Sequence, residues 1–408
     1  MTFLIFILLF LLLEWYIFRG LNVLISKYQP VVRRGISIFY WLISLGFVIY
    51  LLFVRIKGEG VLQNSPLVFV QSTFLIYFLS KLILAFILLI DDLRRLVMSG
   101  VYSLKAGKKK AGGRSRFLTQ LGLILAALPF STLLYGSVRN TYRYTIFRKK
   151  VPIKGLPDSL EGLKIVQISD IHAGSFFSSS PLVRAVQLIN NEEPDLVLFT
   201  GDLVNDKSEE MDMFLKVLDK IKAKHGVFSV FGNHDYGYHT DWPTPAAKAA
   251  NLERLKSVHQ QLGWKLLLNE NRLLTIGQAT LAVIGVENYS VYERFPSFGE
   301  LAKAYQGAEE ASVKLLLSHD PSHWEAEVTK DFQDIDLTFS GHTHGFQFGV
   351  EIPGWVKWSP VKYMYKQWAG LYEKQQQYLY VNRGLGYIGY AGRVGILPEI
   401  TVIELSKK

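Results

Sequence analysis

The chain has 408 residues, 49% hydrophobic and none of them cysteine, which leaves room for two or three domains and excludes disulfides, zinc–thiolate sites and thiol nucleophiles. Its net charge of +10 is unevenly spread, with 21 Lys and Arg against 4 Asp and Glu in residues 1–154 (+17) and a remainder at −7. The basic, apolar first part points to an anionic membrane surface, and the net-acidic second part lacks the footprint that broad nucleic-acid binding needs.

Four apolar runs come first, at residues 2–25, 36–54, 66–90 and 117–138. Each approaches the ~20 residues that a spanning helix needs. A signal peptide explains one such run but not four, so residues 1–138 are expected to form a four-helix transmembrane module. Glu14 and Lys81 fall near the middle of their spans. A charge in lipid is costly unless paired or facing a cavity, so the two are expected to pair inside the bundle, with snorkelling as the other reading. The first and third loops, which include Lys108-Lys109-Lys110, hold eleven Lys and Arg against eight on the other side. That bias makes them cytoplasmic and puts the C-terminal part outside the cytoplasm. Residues 105–116 read as a flexible loop, and 139–158, with Pro152 and Pro157, as a linker.

From Leu163 the pattern changes to short apolar strands alternating with helix-length segments. Leu163 to Ile168 runs into Ser169-Asp170-Ile171-His172, and Asp195 to Phe199 into Thr200-Gly201-Asp202. Gly226 to Phe231 runs into Gly232-Asn233-His234-Asp235, Val313 to Leu317 into Ser318-His319-Asp320, and Ile335 to Phe339 into Ser340-Gly341-His342-Thr343-His344. Residues 181–191 have helical periodicity, and 209–224 read as a helix capped by Ser208. Alternating strands and helices imply a largely parallel sheet or a two-sheet α/β sandwich, with ligands collected at the carboxyl ends of the strands. Carboxylates, an amide oxygen and imidazoles without sulfur suit Mn, Fe or Zn. Five of the nine histidines fall at these strand ends; His225, His239, His259 and His323 read as surface or satisfied core residues.

The ordered set Asp170-x-His172, Gly201-Asp202, Gly232-Asn233-His234-Asp235, His319 and Gly341-His342-x-His344 resembles the calcineurin-like metallophosphoesterases over residues 160–405. Within them the chain looks like the membrane-associated branch related to the bacterial YaeI and YkuE proteins, and the four spans resemble those of proteins that join such a domain to transmembrane helices. The resemblance implies a four-layer α/β/β/α sandwich over residues 159–408 and two divalent metal ions. Asp170, His172, Asp202 and His344 would hold the first ion, and Asn233, His319 and His342 the second, with Asp202 bridging. His234 would be the general acid. Arg383, in Asn382-Arg383-Gly384-Leu385-Gly386, is expected to clamp phosphate, since a guanidinium takes two oxygens at once. Two positions depart from the pattern. Phe346 replaces a glycine, and Asn205 stands where the phosphoprotein-phosphatase branch has Asp, which leaves Asp206 or Asp235 to orient His234.

In this reading two cations about 3.5–4 Å apart clamp a phosphoryl group and activate a bridging water, and His234 protonates the departing alkoxide. The expected enzyme is a membrane-anchored phosphodiesterase or pyrophosphatase acting on a lipid-linked or cell-envelope phosphate ester, with no nucleic-acid partner. One alternative is hydrolysis of UDP-2,3-diacylglucosamine in lipid A synthesis, which would need a cytosolic site. The non-enzymatic alternative is a membrane sensor or scaffold with a metal-binding domain.

Overall fold

The structure is a computed structural model describing residues 2–57, 67–104, 113–352 and 354–408. The Lys108-Lys109-Lys110 loop lies outside the described residues. The chain divides into two compact units, one holding the first four helices and the other Gly136–Lys408.

The first unit contains α1 (Thr2–Ile25), α2 (Pro30–Lys57), α3 (Leu67–Leu104) and α4 (Arg116–Tyr135). All four are long and apolar enough to cross a membrane. Ile17, Leu84, Leu88 and Ala126 pack at their centre, where a Cβ on Gly122 would strike Leu84, the close approach that small residues permit between membrane helices. Glu14 is fully buried and does pair with Lys81, whose Nζ lies 2.5 Å from Oε2. The same oxygen accepts from Ser44 Oγ at 2.5 Å and Tyr77 Oη at 3.1 Å, and Lys81 also donates to Tyr40 Oη at 3.0 Å. Neither charge therefore has to reach the lipid boundary for a partner.

The second unit has strands β1 (Thr145–Ile153), β2 (Lys164–Ile168), β3 (Leu196–Phe199), β4 (Val227–Ser229), β5 (Lys265–Leu266), β6 (Glu270–Ile276), β7 (Ala279–Gly285), β8 (Val313–Leu317), β9 (Leu337–Ser340), β10 (Val350–Ile352), β11 (Val356–Trp358), β12 (Gly370–Lys374), β13 (Gln377–Val381) and β14 (Glu399–Lys407). One six-stranded sheet runs β1-β14-β2-β3-β4-β5 and the other β12-β13-β9-β8-β7-β6. The strands β2 to β5 are parallel to one another, as are β13, β9, β8 and β7. Alternation along each strand builds the layers. Leu196 and Leu198 face the core between the sheets while Val197 and Phe199 face a helical layer, and Leu315 and Leu317 point inward while Leu316 points out. With α5 (Ser180–Asn191), α6 (Leu215–Leu218) and α7 (Pro245–Gln261) outside one sheet and α8 (Leu301–Tyr305) outside the other, the unit is an α/β/β/α sandwich.

Two local expectations give way. Residues 139–158 do not form a bare linker: β1 lies within them and pairs in parallel with β14 along Thr145–Ile153. The run Arg148-Lys149-Lys150 and Pro152 hid it, yet charges and proline are what an edge strand tolerates. Residues 209–224 do not form one helix but a 3-10 turn at Ser208–Met211 and the single turn α6. The carboxylate of Glu210 is drawn inward instead, accepting the amides of Gly174 (2.9 Å), Asn205 (2.6 Å), Asp206 (3.1 Å) and Lys207 (2.9 Å). Ser208 Oγ caps nothing.

For the membrane unit, Glu14→Gln and Lys81→Met should each lower the thermal stability of the detergent-solubilised protein. The double variant should lose less than the sum of the two, with a coupling of about 0.5–3 kcal/mol. Additive losses would contradict the pairing.

Candidate metal centre

The carboxyl ends of β2, β3, β4, β8 and β9 lie at one edge of the sandwich, and the loops leaving them carry the polar cluster. Short strands with abrupt exits put the side chains there, and the backbone is bent to do so. Asp170 (φ 51°), His172 (φ 49°), Asp202 (φ 57°), His342 (φ 69°) and His344 (φ 50°) all adopt the left-handed region, which is sparsely populated by residues other than glycine and concentrates at functional sites. Glycine supplies the clearance between the loops: a Cβ on Gly232 would collide with the Asp202 carboxylate, and one on Gly341 with that of Asp170.

Among the described residues, two groups of His and Asp could each hold a metal ion: Asp170, His172 and His344, and Asp202, His319 and His342. His172 Nε2 lies 3.0 Å from His344 Nε2, which is 3.2 Å from Asp170 Oδ1. Asp202 joins the groups, its Oδ2 being 3.6 Å from His172 Nε2 and 3.1 Å from His319 Nε2. Its Oδ1 accepts the His234 amide at 2.9 Å, so one oxygen fixes the loop while the other faces the imidazoles. Asn233 completes the second group, with Oδ1 2.8 Å from His342 Nδ1.

The far side of each ring shows what the near side offers, once protons are assigned from the hydrogen-bond network. His172 Nδ1 donates to Asn205 Oδ1 (3.1 Å) and His319 Nδ1 to the Thr200 carbonyl (2.6 Å), which turns both Nε2 atoms into the cluster, a lone pair on His172 and, on His319, a position open to a proton or a cation. His342 Nε2 donates to Tyr365 Oη (2.8 Å), which in turn donates to Asp320 Oδ2 (3.2 Å), so Nδ1 carries the lone pair. Asn233 Oδ1 and His342 Nδ1 are then two acceptors facing each other with no proton between them. His319 Nε2 is buried with no hydrogen bond of its own. Acceptors converging in this way, with outer partners fixing each tautomer, fit divalent cations coordinated by O and N donors.

Burial works against charge on His319, but the Asp202 carboxylate more than offsets it and holds the imidazole up to about 10, so without a cation His319 Nε2 keeps a proton that a bound cation would displace. Burial also opposes charge on Asp170 and Asp202, yet the surrounding imidazoles keep both well below the usual carboxylate range. Burial lowers His172, His234 and His342. The cavity therefore attracts positive charge to Asp202 while disfavouring protons on most of its rings.

The remaining expected residues separate. Neither Asp206 nor Asp235 orients His234, whose Nδ1 donates to the main-chain carbonyl of Asn205 at 2.8 Å. Asp235 instead receives the amides of Asp202 (2.9 Å), Leu203 (2.8 Å), Val204 (3.3 Å) and Gly232 (2.8 Å), tying two ligand loops together. Burial and the Asp202 charge push its carboxyl up to about 7. His239 is not remote, since its ring lies 4.3 Å from that of His234 and burial lowers it to about 4. Arg383 is no phosphate clamp. It is 2% exposed, donates to both oxygens of Glu351 (2.7 and 2.8 Å) and is ion-paired with Glu399. It borders a 930 Å³ recess with Phe147 and Trp355, to which no residue of the cluster contributes. Tyr365, Asp320 and Arg393 were not singled out from the sequence. Arg393 is buried beneath His344 and donates to the carbonyls of Arg383 (2.7 Å) and His344 (3.3 Å). No local pattern marks a tyrosine 23 residues from its histidine or an arginine that serves carbonyls.

Residues 163–346 match the family described as Calcineurin-like phosphoesterase, and residues 1–141 the family described as Probable Calcineurin-like phosphoesterase, transmembrane domain. The chain joins a calcineurin-like phosphoesterase domain to an N-terminal four-helix phosphoesterase domain. It is 28% identical to a "Transmembrane protein with metallophosphoesterase domain" of Danio rerio, over 80% of this chain and 71% of that one. It is 29% identical to "Uncharacterized metallophosphoesterase YkuE" of Bacillus subtilis, over 66% of this chain and 89% of the relative. Its identity to YkoQ of the same organism is also 29%, over 69% and 98%. The phosphoesterase is thus an integral membrane enzyme of the phosphoester hydrolase class, in a family that uses divalent metals.

Tyr365→Phe keeps the ring of the phosphoesterase's outer partner and removes the acceptor for His342 Nε2–H. Metal affinity should fall about 10-fold or more, read by competition with a chelating dye. Unchanged affinity would remove Tyr365 from the site.

Proposed function

We propose that the phosphoesterase hydrolyses a phosphodiester or pyrophosphate on a lipid-linked or cell-envelope substrate, using two divalent ions of the Mn, Fe or Zn type. Asp170, His172, Asp202 and His344 would hold one ion and Asn233, His319 and His342 the other, with Asp202 shared. The observation that carries this reading is the pair of acceptor clusters on either side of Asp202 Oδ2, drawn from five strand ends. When bound, such ions neutralise phosphoryl oxygens and supply a water-derived nucleophile at neutral pH.

The chain's own residues have separable tasks. Asp202 fixes the spacing of the two clusters, because its Oδ1 is anchored on the His234 amide. Asp170 is anchored in the same way, accepting the His342 amide at 3.0 and 3.1 Å. His234 has Nδ1–H tied to the Asn205 carbonyl, so Nε2 faces the site; burial lowers this ring, and the negative charge of a bound phosphate ester would favour the imidazolium, whose Nε2–H would then protonate the departing alkoxide and leave the ring neutral. Substrate charge is met by the ions and not by Arg383, whose guanidinium is already shared by two carboxylates. Four apolar helices and the exposed ring of Phe346, two residues from His344, support an amphiphilic substrate. The loop bias of eleven basic residues against eight supports a catalytic unit outside the cytoplasm.

His234→Ala should cut turnover of bis-p-nitrophenyl phosphate by about 10²-fold or more while metal content is kept. Loss of metal, or full turnover, would remove the role of proton donor. Asp202→Asn should lose metal by elemental analysis together with activity; a metal-loaded wild type that binds phosphate esters without hydrolysing them would favour a scaffold. A C-terminal reporter active only outside the cytoplasm should light up, and a cytoplasmic signal would reverse the orientation.

A further inference from the structure

The hairpin that follows the metal-ligand loop is amphipathic in the reverse of the usual sense. Phe348, Val350 and Ile352 alternate with Gly349 and Glu351, and alternate residues of an extended chain share a face; Phe346 precedes them in the turn. The apolar set faces outward, with Phe346 58%, Phe348 36%, Val350 45%, Ile352 42% and the turn residue Trp355 79% exposed. The antiparallel register sets Val350 opposite Trp358 and Ile352 opposite Val356, so β11 extends the same apolar face. The polar face is the one anchored to the protein. Glu351 is held by both its oxygens on Arg383, and Lys357 Nζ donates to the Ala369 carbonyl at 2.5 Å.

A sheet with one wet face ordinarily turns its apolar residues toward the core. Here the ion pair with Arg383 holds the hairpin the other way round. The start of the segment is held as well: Phe346 (φ 60°) and Gln347 (φ 56°) are left-handed, an uncommon conformation for a bulky side chain and one found where function demands it. Gln347 is fixed in that conformation by the Tyr390 carbonyl (2.7 Å) and the Ile388 amide (2.7 Å).

Chain continuity indicates what covers this face. The apolar helix α4 is followed directly in the chain by the turn Gly136–Asn140, with which the second unit begins. This turn is bonded to the loop beside the hairpin, with Ser137 Oγ to the Ala391 carbonyl at 2.5 Å and Asn140 Nδ2 to the Arg393 carbonyl at 3.1 Å. The next residue of that loop, Val394, bridges to Phe348 and accepts the Gly349 amide at 2.9 Å. The chain thus enters this unit, straight after its last apolar helix, one loop away from the exposed aromatic edge. Exposed Lys362 and Lys366 flank Tyr363 and Met364 just beyond it. Trp, Tyr and Lys beside aliphatic residues are the composition of a membrane–water interface.

We infer that residues 346–352 and 354–364 form a membrane-seated arm: the outer face of the β10–β11 hairpin lies in the interface of an anionic bilayer, with Trp355 deepest. The arm leaves His344 through Phe346, so the metal-ligand loop meets the bilayer surface and a phosphate headgroup can be taken from it while its acyl chains stay in lipid. Only that last step rests on the phosphoesterase reading.

The absence of cysteine makes the test direct. Full-length Trp355→Cys and, separately, Val350→Cys are labelled with a nitrobenzoxadiazole fluorophore and reconstituted into vesicles of phosphatidylcholine and phosphatidylglycerol carrying doxyl lipid. Leu273→Cys, at an exposed position on β6, serves as reference. Doxyl lipid should quench labels at 355 and 350 at least twofold more than the label at 273, and aqueous iodide should quench them less. Labels as open to iodide as the reference would overturn the arm. Labels shielded from iodide but not quenched by doxyl lipid would mean that a protein or a second copy covers the face, and would also overturn it. The readout involves no hydrolysis, so the arm and the phosphoesterase reading can fail independently.

Discussion

Everything in the second unit depends on holding the Asp202 carboxylate in the interior, where an unpaired charge would be several kcal/mol unfavourable. The protein meets that demand twice. Oxygen Oδ1 takes a backbone amide, and Oδ2 faces His172 and His319 from two different sheets. Asp235 then ties the Asp202 loop to the Gly232 loop through four amides, while burial and the Asp202 charge raise its own carboxyl. The geometry of the cluster is therefore a property of the sandwich, since each ring comes from the end of a buried strand.

The same constraint accounts for the strain in the loops. A strand delivers side chains alternately to its two faces, but a metal site needs several to converge on one point beyond its end. Left-handed residues at Asp170, His172, Asp202, His342 and His344 turn the chain sharply enough to do so. Such conformations persist only where the surroundings over-determine them, and the amides and carbonyls bonded to Asp170, Asp235 and Arg393 supply that restraint.

The five strand ends were readable because their signal is local: an apolar run, a serine or glycine, then Asp, Asn or His. Distant pairings that leave no local mark were not readable. Edge strand β1 looked like a basic linker because its charges point to solvent. The segment 209–224 has helical spacing, but the buried Glu210 carboxylate binds four amides and prevents the helix. Arg383 looked like an anion binder because an arginine in a glycine turn carries no sign of the carboxylates it will meet. Its use is structural, since it anchors the polar face of β10 on the protein and so turns the aromatic face outward. Within the membrane unit, the Glu14–Lys81 pair was legible from the rarity of charge in an apolar span.

The account stands or falls on Asp202 lying between two cations. The most direct measurement is anomalous diffraction from crystals of the manganese-loaded protein, with difference maps calculated around that residue. Two peaks are expected on opposite sides of Asp202 Oδ2, one beside His172 and His344 and the other beside His319 and His342. A single peak, or none in contact with Asp202, would contradict it.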